Sequence, residues 1–304
     1  MGPLMGQNRV QRRLAVAALC AVATAGCGTT APEEPVDPLD IVTAPVEAAV
    51  VGTTAASAPL VAPSSTLADD VEFTGNATLY RTEVLERFAH DTTAFTQGLV
   101  RTESGFFEST GLNGESDLRE VDLDGTVQRI VPIDAAYFAE GLELVDDRLV
   151  QLTWRSEVAF VYDAATFEEI DRYSYSGEGW GLCSDGARFV MSNGSSRLTF
   201  RDLDTFEETG SVEVTVNGTP QDQLNELECV DGRVYANIWQ TDAIVRIDPR
   251  SGAVDQVIDA SGLLDADEAA QANVLNGIAV AGSGEFFVTG KRWPALFRVR
   301  FLPA

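Results

Sequence analysis

The stretch Phe138-Ala139-Glu140-Gly141-Leu142 decides the fold, because related stretches occur four more times in the chain. Aligned on the residue in the place of Glu140, the copies follow one another at intervals of 40 to 50 residues. A period of this length is typical of arrays of one supersecondary unit, such as solenoids and propellers. The related stretches are Phe95-Thr96-Gln97-Gly98-Leu99, Glu178-Gly179-Trp180-Gly181-Leu182, Leu224-Asn225-Glu226-Leu227 and Leu275-Asn276-Gly277-Ile278, with Gln97, Trp180, Glu226 and Asn276 in the aligned position.

Each stretch begins an apolar run that reads as the first of several β-strands. A turn signal such as Asp185-Gly186 follows it, and then come segments rich in β-branched and aromatic residues, such as 234–239 and 244–247. Four short strands per repeat at this period predict the blade of a β-propeller.

The fifth repeat contains only three predicted strands, of which the last is 296–301. The strand-like segment 79–88, ahead of the first repeat, can supply the missing outer strand and so cover an open sheet edge. We therefore predict an all-β fold, a five-bladed β-propeller over residues 78–304 whose N-terminal strand closes the last blade.

The composition excludes several classes of protein. The chain has 304 residues with 47 acidic and 21 basic side chains and a net charge of -26, so it offers no basic surface for nucleic acid. Its single histidine, His90, cannot build a two-His or three-His zinc site, and no cysteine pair has zinc-ligand spacing. His90 also has no identifiable Ser or Cys partner, so we predict a structural role for it.

The N-terminal region has the layout of an export signal. Residues 1–26 carry three arginines ahead of an apolar run that ends in small residues, which predicts a signal peptide. Cys27 follows Ala25-Gly26 and predicts a lipidated first residue, as in bacterial lipoproteins, with ordinary signal cleavage nearby as the alternative. Residues 27–77 are rich in Pro, Ala and Thr and predict a flexible tether. The protein is then exported, anchored by lipid to the outer face of the cell membrane or otherwise secreted.

The first strand of every blade lines the central channel of a propeller, so residues at its entrance converge from all blades. The four tryptophans fall at blade starts or second-strand ends, which predicts a pocket with aromatic walls on one rim. The only lysine in the chain, Lys291, falls at the matching point of the fifth blade. Polar residues at such an entrance can instead hydrate the channel or hold a structural calcium ion. The entrance positions are Gln97, Glu140, Trp180, Asn225 with Glu226, and Asn276.

Nine motifs, taken in order along residues 79–304, resemble those of the plant-type glutaminyl-peptide cyclotransferases, which also occur in bacteria. This resemblance implies a five-bladed propeller that converts N-terminal glutamine to pyroglutamate, releases ammonia and needs no catalytic metal. The motifs are 94–99, 108–111, 138–141, 152–154, 177–182, 224–228, 236–239, 274–278 and 289–291.

Carried over by position, the resemblance implies that Glu140 is the catalytic carboxyl group, with Asn225, Lys291 and Gln97 as polar partners. It also implies a substrate pocket with aromatic walls. Two features depart from the family pattern: Asp91-Thr92-Thr93 follows the histidine where relatives usually show Pro, and two cysteines lie outside the pattern. The implied wall residues are Phe95, Phe138, Trp154, Trp180 and Trp239.

Other functions fit the same predicted architecture. A calcium-dependent lactonase-like propeller would hold its ion with Glu140, Asn225 and Asn276. A non-catalytic exported propeller would only capture a peptide terminus. Cys183 and Cys229 fall at equivalent sites of adjacent blades, and a disulfide requires Cα atoms within about 7 Å, so the sequence leaves their pairing open. We expect a monomer that acts on peptides or proteins with N-terminal glutamine.

Overall fold

The structure is a computed structural model that describes residues 77–282 and 284–304. The predicted signal peptide 1–26, the lipidation at Cys27 and the tether up to residue 76 lie outside the described residues.

Strands make up almost all of the regular structure in the described residues, which contain one helix of four residues. No helix in this part of the chain has the length and apolar character needed to cross a bilayer. The helix is α1 (Ala266–Ala269), and the strands are β1 (Thr78–Ala89), β2 (Thr96–Arg101), β3 (Gly105–Thr110), β4 (Asp117–Asp122), β5 (Val127–Pro132), β6 (Ala139–Val145), β7 (Arg148–Thr153), β8 (Val158–Asp163), β9 (Glu169–Ser174), β10 (Leu182–Ser184), β11 (Phe189–Met191), β12 (Arg197–Arg201), β13 (Glu208–Glu213), β14 (Thr215–Val216), β15 (Thr219–Pro220), β16 (Leu224–Val230), β17 (Arg233–Ile238), β18 (Ala243–Ile247), β19 (Val254–Asp259), β20 (Leu275–Gly282), β21 (Glu285–Gly290) and β22 (Ala295–Pro303).

The strands form three antiparallel four-stranded sheets, one larger sheet and a two-stranded ribbon, β14-β15. The four-stranded sheets are β2-β3-β4-β5, β6-β7-β8-β9 and β10-β11-β12-β13, in sequence order. The eight-stranded sheet has the order β16-β17-β18-β19-β1-β22-β21-β20. The fold is therefore all-β with almost no helix, as predicted.

The predicted N-terminal strand lies where the sequence indicates. β1 pairs antiparallel with β22, from Tyr80 opposite Pro303 to Ala89 opposite Ala295. Its first residues also pair in parallel with β19, where Thr78 lies opposite Gln256, and the sequence gives no sign of this second pairing. β1 thus completes a group of four strands with β20, β21 and β22 and joins it to the group β16-β17-β18-β19 in the eight-stranded sheet.

The first strands of the five groups neighbour one another in a closed cycle, in the order β2, β6, β10, β16, β20 and back to β2. Two glycines show how closely they approach. A Cβ on Gly141 would lie 2.7 Å from the backbone nitrogen of Leu182, and one on Gly181 would lie 2.1 Å from the carbonyl oxygen of Asn225. The recurrent glycine of the repeat therefore makes room for the neighbouring strand.

Apolar cores fill the spaces between adjacent sheets. One core joins Phe107 and Leu118 of the first sheet to Leu142 and Leu149 of the second. Most outer strands are more exposed, and Ile130 on β5 is 52% exposed. Burial therefore decreases from the first to the fourth strand of most groups. Polar side chains near the starts of the first strands, such as Gln97 and Glu140, are buried.

The strand register corrects the sequence alignment in the fourth repeat. Ala139 pairs with Thr153 and Leu142 with Gln151 across a bulge, and Leu224 pairs with Ile238 and Leu227 with Ala236 across an equivalent one. Asn225, and not Glu226, therefore occupies the place of Glu140. Glu226 takes the place that glycine holds in the other repeats, and its motif lacks that glycine, which is why the alignment slipped by one residue.

Candidate active site

Four polar residues that the sequence predicts for the site are buried at one end of the innermost strands. Gln97, Glu140 and Asn225 lie in the bulges at the starts of β2, β6 and β16. Lys291 directly follows β21, whose last residue, Gly290, pairs with the first residue of β20. The four residues are between 2% and 5% exposed.

Glu140 is a buried carboxyl group with unusual surroundings. No residue of the described chain donates a hydrogen bond to its carboxylate, although its backbone carbonyl accepts one from Ser109. Burial raises the pKa of Glu140 well above its ordinary value, the charge of Lys291 opposes this shift, and the charge of Glu178 adds to it. A raised pKa makes the ionised form of this carboxyl group a better proton acceptor.

Lys291 supplies the positive charge next to Glu140. Burial lowers the pKa of its ammonium to about 8, while the charge of Glu140 raises it. Its Nζ lies 4.9 Å from the centroid of the Phe95 ring, a cation–π distance. The backbone of Lys291 is held on both sides, since its N–H donates to Val274 and its carbonyl accepts from Asn273, each at 2.9 Å. The backbone that carries this ammonium is therefore held in place.

Buried amide groups near the same strand starts have unused hydrogen-bonding capacity. The Oδ1 atoms of Asn225 and Asn276 are buried without a partner in the described part of the structure. The Nδ2 of Asn276 donates to the carbonyl of Thr96 at 3.0 Å and to Oε1 of Gln97 at 3.3 Å. Unpartnered buried amide oxygens are costly, and a ligand with N–H groups would satisfy them.

The five aromatic residues predicted for the pocket walls form two groups of contacting rings. Phe95 packs edge-on against Phe138 at 6.2 Å between ring centroids, and Phe138 lies 5.7 Å from Trp154. Trp180 and Trp239 form a second edge-on pair at 5.5 Å.

Trp293 differs from the other three tryptophans. It is 4% exposed, belongs to the apolar core with Phe297, and donates its indole N–H to the carbonyl of Asn273 at 2.8 Å. A Cβ on Gly290 would lie 2.3 Å from the indole nitrogen of Trp293, so this tryptophan packs against the backbone that leads into Lys291.

Three sets of contacts in the structure were not predicted from the sequence. Glu178 accepts hydrogen bonds from two tryptophans, and its place next to Trp180 in a repeat motif is the only sequence signal for it. Cys183 and Cys229, left open above, form a disulfide with Cα atoms 5.4 Å apart. His90 is buried between Glu108, at 3.1 Å from Nε2, and the carbonyl of Trp293, at 2.8 Å from Nδ1.

The calcium alternative, with Glu140, Asn225 and Asn276 as ligands, contains only one carboxylate and stays a prediction. Within the described part of the chain, no three or more His, Cys, Asp or Glu side chains come together in a way that could hold a metal ion. The positive charge that acts on Glu140 is the ammonium of Lys291.

The fold and the Glu140–Lys291 pair define an all-β protein with a buried carboxyl group and a buried ammonium group that contacts the Phe95 ring. A family model of glutamine cyclotransferases matches residues 54–301. The chain is 40% identical over 230 residues to the glutaminyl-peptide cyclotransferase of Arabidopsis thaliana, covering 73% of this chain and 72% of the plant protein. The crystal structure of Myxococcus xanthus glutaminyl cyclase matches with a TM-score of 0.68 at 40% identity, covering 75% of this chain and 99% of that chain.

The chain belongs to the glutamine cyclotransferase family. The resemblance read from the sequence motifs is thereby confirmed.

Proposed function

We propose that this protein converts the N-terminal glutamine of peptides or proteins to pyroglutamate and releases ammonia. The observation that carries the proposal is the buried Glu140 carboxyl group, free of hydrogen bonds from the described residues and next to the buried Lys291 ammonium, in a chain of this family. In this proposal the aromatic rings line the pocket that takes the glutamine side chain.

The reaction is intramolecular, so the protein mainly orients the substrate and manages protons. The α-amine nitrogen attacks the side-chain carboxamide carbon of the same glutamine, and a new C–N bond closes the five-membered ring. In this proposal, the ionised Glu140 accepts a proton from the attacking amine. It then returns this proton to the carboxamide nitrogen, the old C–N bond breaks, and the nitrogen leaves as ammonia.

The other buried groups suit the remaining tasks. Lys291 donates to the oxyanion that develops on the carboxamide oxygen, a role in which one donor contributes roughly 3 kcal/mol. The unpartnered Oδ1 of Asn225 accepts an N–H of the bound glutamine, and Gln97, held by Asn276, lies on the other side of the same entrance. With these groups the chain supplies its own proton carrier and electrophile, so we propose that turnover requires no metal.

We also propose that the fold is a five-bladed propeller over residues 78–304. The closed cycle of β2, β6, β10, β16 and β20 supports it, as does the grouping of four strands around each of them. In this reading β1 is the outer strand of the last blade. Export through residues 1–26, the tether 27–77, lipidation at Cys27 and a monomeric state remain predictions from the sequence.

Incubation of a Gln-initiated peptide with the protein tests the function directly. We expect one ammonia released per peptide, a matching loss of mass, and the same rate with and without a chelator. An N-acetylated copy of the peptide is the control and should not react, because its nitrogen is no longer nucleophilic. Loss of turnover on chelation would favour the calcium-dependent hydrolase, and binding without a mass change would favour the non-catalytic propeller.

A further inference from the structure

Glu178 connects two walls of the candidate site through one carboxylate. Its Oε2 accepts hydrogen bonds from the indole N–H groups of both Trp154 and Trp180, each at 2.9 Å. Its Oε1 accepts from the Nε of Arg155, also at 2.9 Å. The guanidinium of Arg155 in turn lies 3.7 Å from the centroid of the Trp154 ring.

The two indoles come from different sheets, so the carboxylate spans a boundary between them. Trp154 directly follows β7 of one four-stranded sheet, and Trp180 lies just before β10 of the next. A carboxylate oxygen can accept both N–H groups at once, and no other described residue accepts from either indole. Both indole N–H groups thus share a single acceptor.

The same carboxylate carries a charge that reaches Glu140. Burial alone would raise the pKa of Glu178, but the hydrogen bonds from Trp180, Arg155 and Trp154 outweigh it and lower the pKa below its ordinary value. Glu178 is therefore ionised at neutral pH, and this negative charge contributes to the raised pKa of Glu140.

We propose that Glu178 is a positioning residue for the cyclisation, which holds Trp154 and Trp180 as walls of the pocket and carries a negative charge that acts on Glu140. This inference rests on the proposed function and deepens it. It gives Glu178 two separable tasks, one carried by its oxygen atoms and one by its charge.

Two substitutions separate the two tasks. In Glu178→Gln the amide oxygen can still accept from both indoles, but the charge is lost. In Glu178→Ala both the acceptor and the charge are lost. Glu169→Gln is the matched control, because Glu169 is an exposed glutamate on β9 that pairs with Arg172 away from the pocket.

The measurements are kcat and KM for a Gln-initiated peptide across the pH range. If the ionised Glu140 is the base, kcat/KM rises with pH through its pKa, and loss of the Glu178 charge should move this rise by about half a unit or more to lower pH. We expect this shift in both Glu178 variants, a KM close to that of the unaltered protein in Glu178→Gln, and a KM raised about tenfold or more in Glu178→Ala. An unmoved pH profile in both variants would overturn the charge task, and an unchanged KM in Glu178→Ala would overturn the positioning task.

Tryptophan fluorescence of the ligand-free protein tests the positioning task without turnover. Glu178→Ala should change the emission, because two of the four indoles lose their acceptor, whereas Glu169→Gln should not. An emission spectrum of Glu178→Ala identical to that of the unaltered protein would overturn the proposal. If the unaltered protein released no ammonia from any Gln peptide, the proposed function would fail, and the fluorescence result would still decide whether Glu178 holds the indoles.

Discussion

Glu140 and Glu226 are two buried carboxyl groups, one register position apart in equivalent repeats, with opposite surroundings. Glu140 lies in a bulge and receives no hydrogen bond from the described residues. Glu226 takes the place of the repeat's glycine, and its Oε2 accepts from the backbone N–H of Ile278 at 2.8 Å, across to the next first strand. Burial raises the pKa of both groups well above the ordinary value.

Burial alone therefore does not distinguish a reactive carboxyl group from a structural one. Glu226 replaces a close backbone contact by a hydrogen bond and so ties two strands together. Glu140 faces an ammonium and unpartnered amides, which is a state that a ligand can complete. Partner chemistry, and not the raised pKa, therefore assigns the proposed proton transfer to Glu140.

The largest effect should follow from removing the proton carrier. Glu140→Gln is expected to lower kcat about 10²- to 10⁴-fold, because an amide neither accepts nor returns the proton. Glu226→Gln is the matched control, since an amide oxygen can still accept from Ile278, and its kcat should stay within about threefold. Ammonia release measured for both variants decides the comparison. If Glu226→Gln instead lost more activity than Glu140→Gln, the two assignments would have to be exchanged.

A somewhat smaller effect is expected for the ammonium next to Glu140. Lys291→Met should lower kcat about 10²- to 10³-fold, the usual loss for one oxyanion donor. Because the pKa of Lys291 is about 8, the unaltered protein should also lose activity as the pH rises through about 8, when the ammonium becomes neutral. The residual activity of Lys291→Met should lack this decline. A decline that persists in the variant would show that another group causes it.

Much of this arrangement was predictable from the sequence because it is periodic. The repeat gave the strand order within each sheet, and the missing strand of the last repeat indicated the role of residues 79–88. The repeat and the family resemblance together predicted Gln97, Glu140, Asn225 and Lys291 as site residues. This was possible because a pattern that recurs in every repeat can be recognised locally.

The rest depends on contacts between sheets, which no local pattern records. Leu224-Asn225-Glu226-Leu227 lacks the glycine that marks the register elsewhere, so the place of Glu226 became visible only from strand pairing. Glu178 meets Trp154 across 24 residues of chain and a sheet boundary. The parallel pairing of Thr78 with Gln256 joins residues that lie far apart in the chain.

The disulfide, like Glu226, is assigned a structural role. Cys183 on β10 and Cys229 on β16 join two first strands across a sequence separation of 46 residues. Replacing both by alanine is expected to lower the free energy of unfolding by up to about 4 kcal/mol, the chain-entropy value for a loop of this length. Denaturant unfolding measures this loss. Ammonia release at room temperature should stay unchanged, and a large fall in kcat without unfolding would show that this region also shapes the site.

The smallest effect should come from a group of acids near the far ends of the same strands. Burial raises the pKa of Glu143 to about 7, and both burial and the charge of Glu143 raise the pKa of Glu228 well above its ordinary value. A carboxyl group whose pKa is raised by folding stabilises the fold at low pH, and this contribution is lost as the pH rises through the folded-state pKa. Glu228→Gln removes one of these charges, while its amide oxygen can still accept from the backbone of Val280.

The variant should therefore melt like the unaltered protein near pH 5 and melt about 2 to 4 °C higher near pH 8.5, a difference of ~1 kcal/mol for a domain of this size. Thermal unfolding of both proteins near pH 5 and near pH 8.5 measures these differences in melting temperature. An equal shift at both pH values would mean that packing and not charge is responsible. In that case the ionisation of Glu228 would cost the fold nothing, and its raised pKa would carry no consequence for stability.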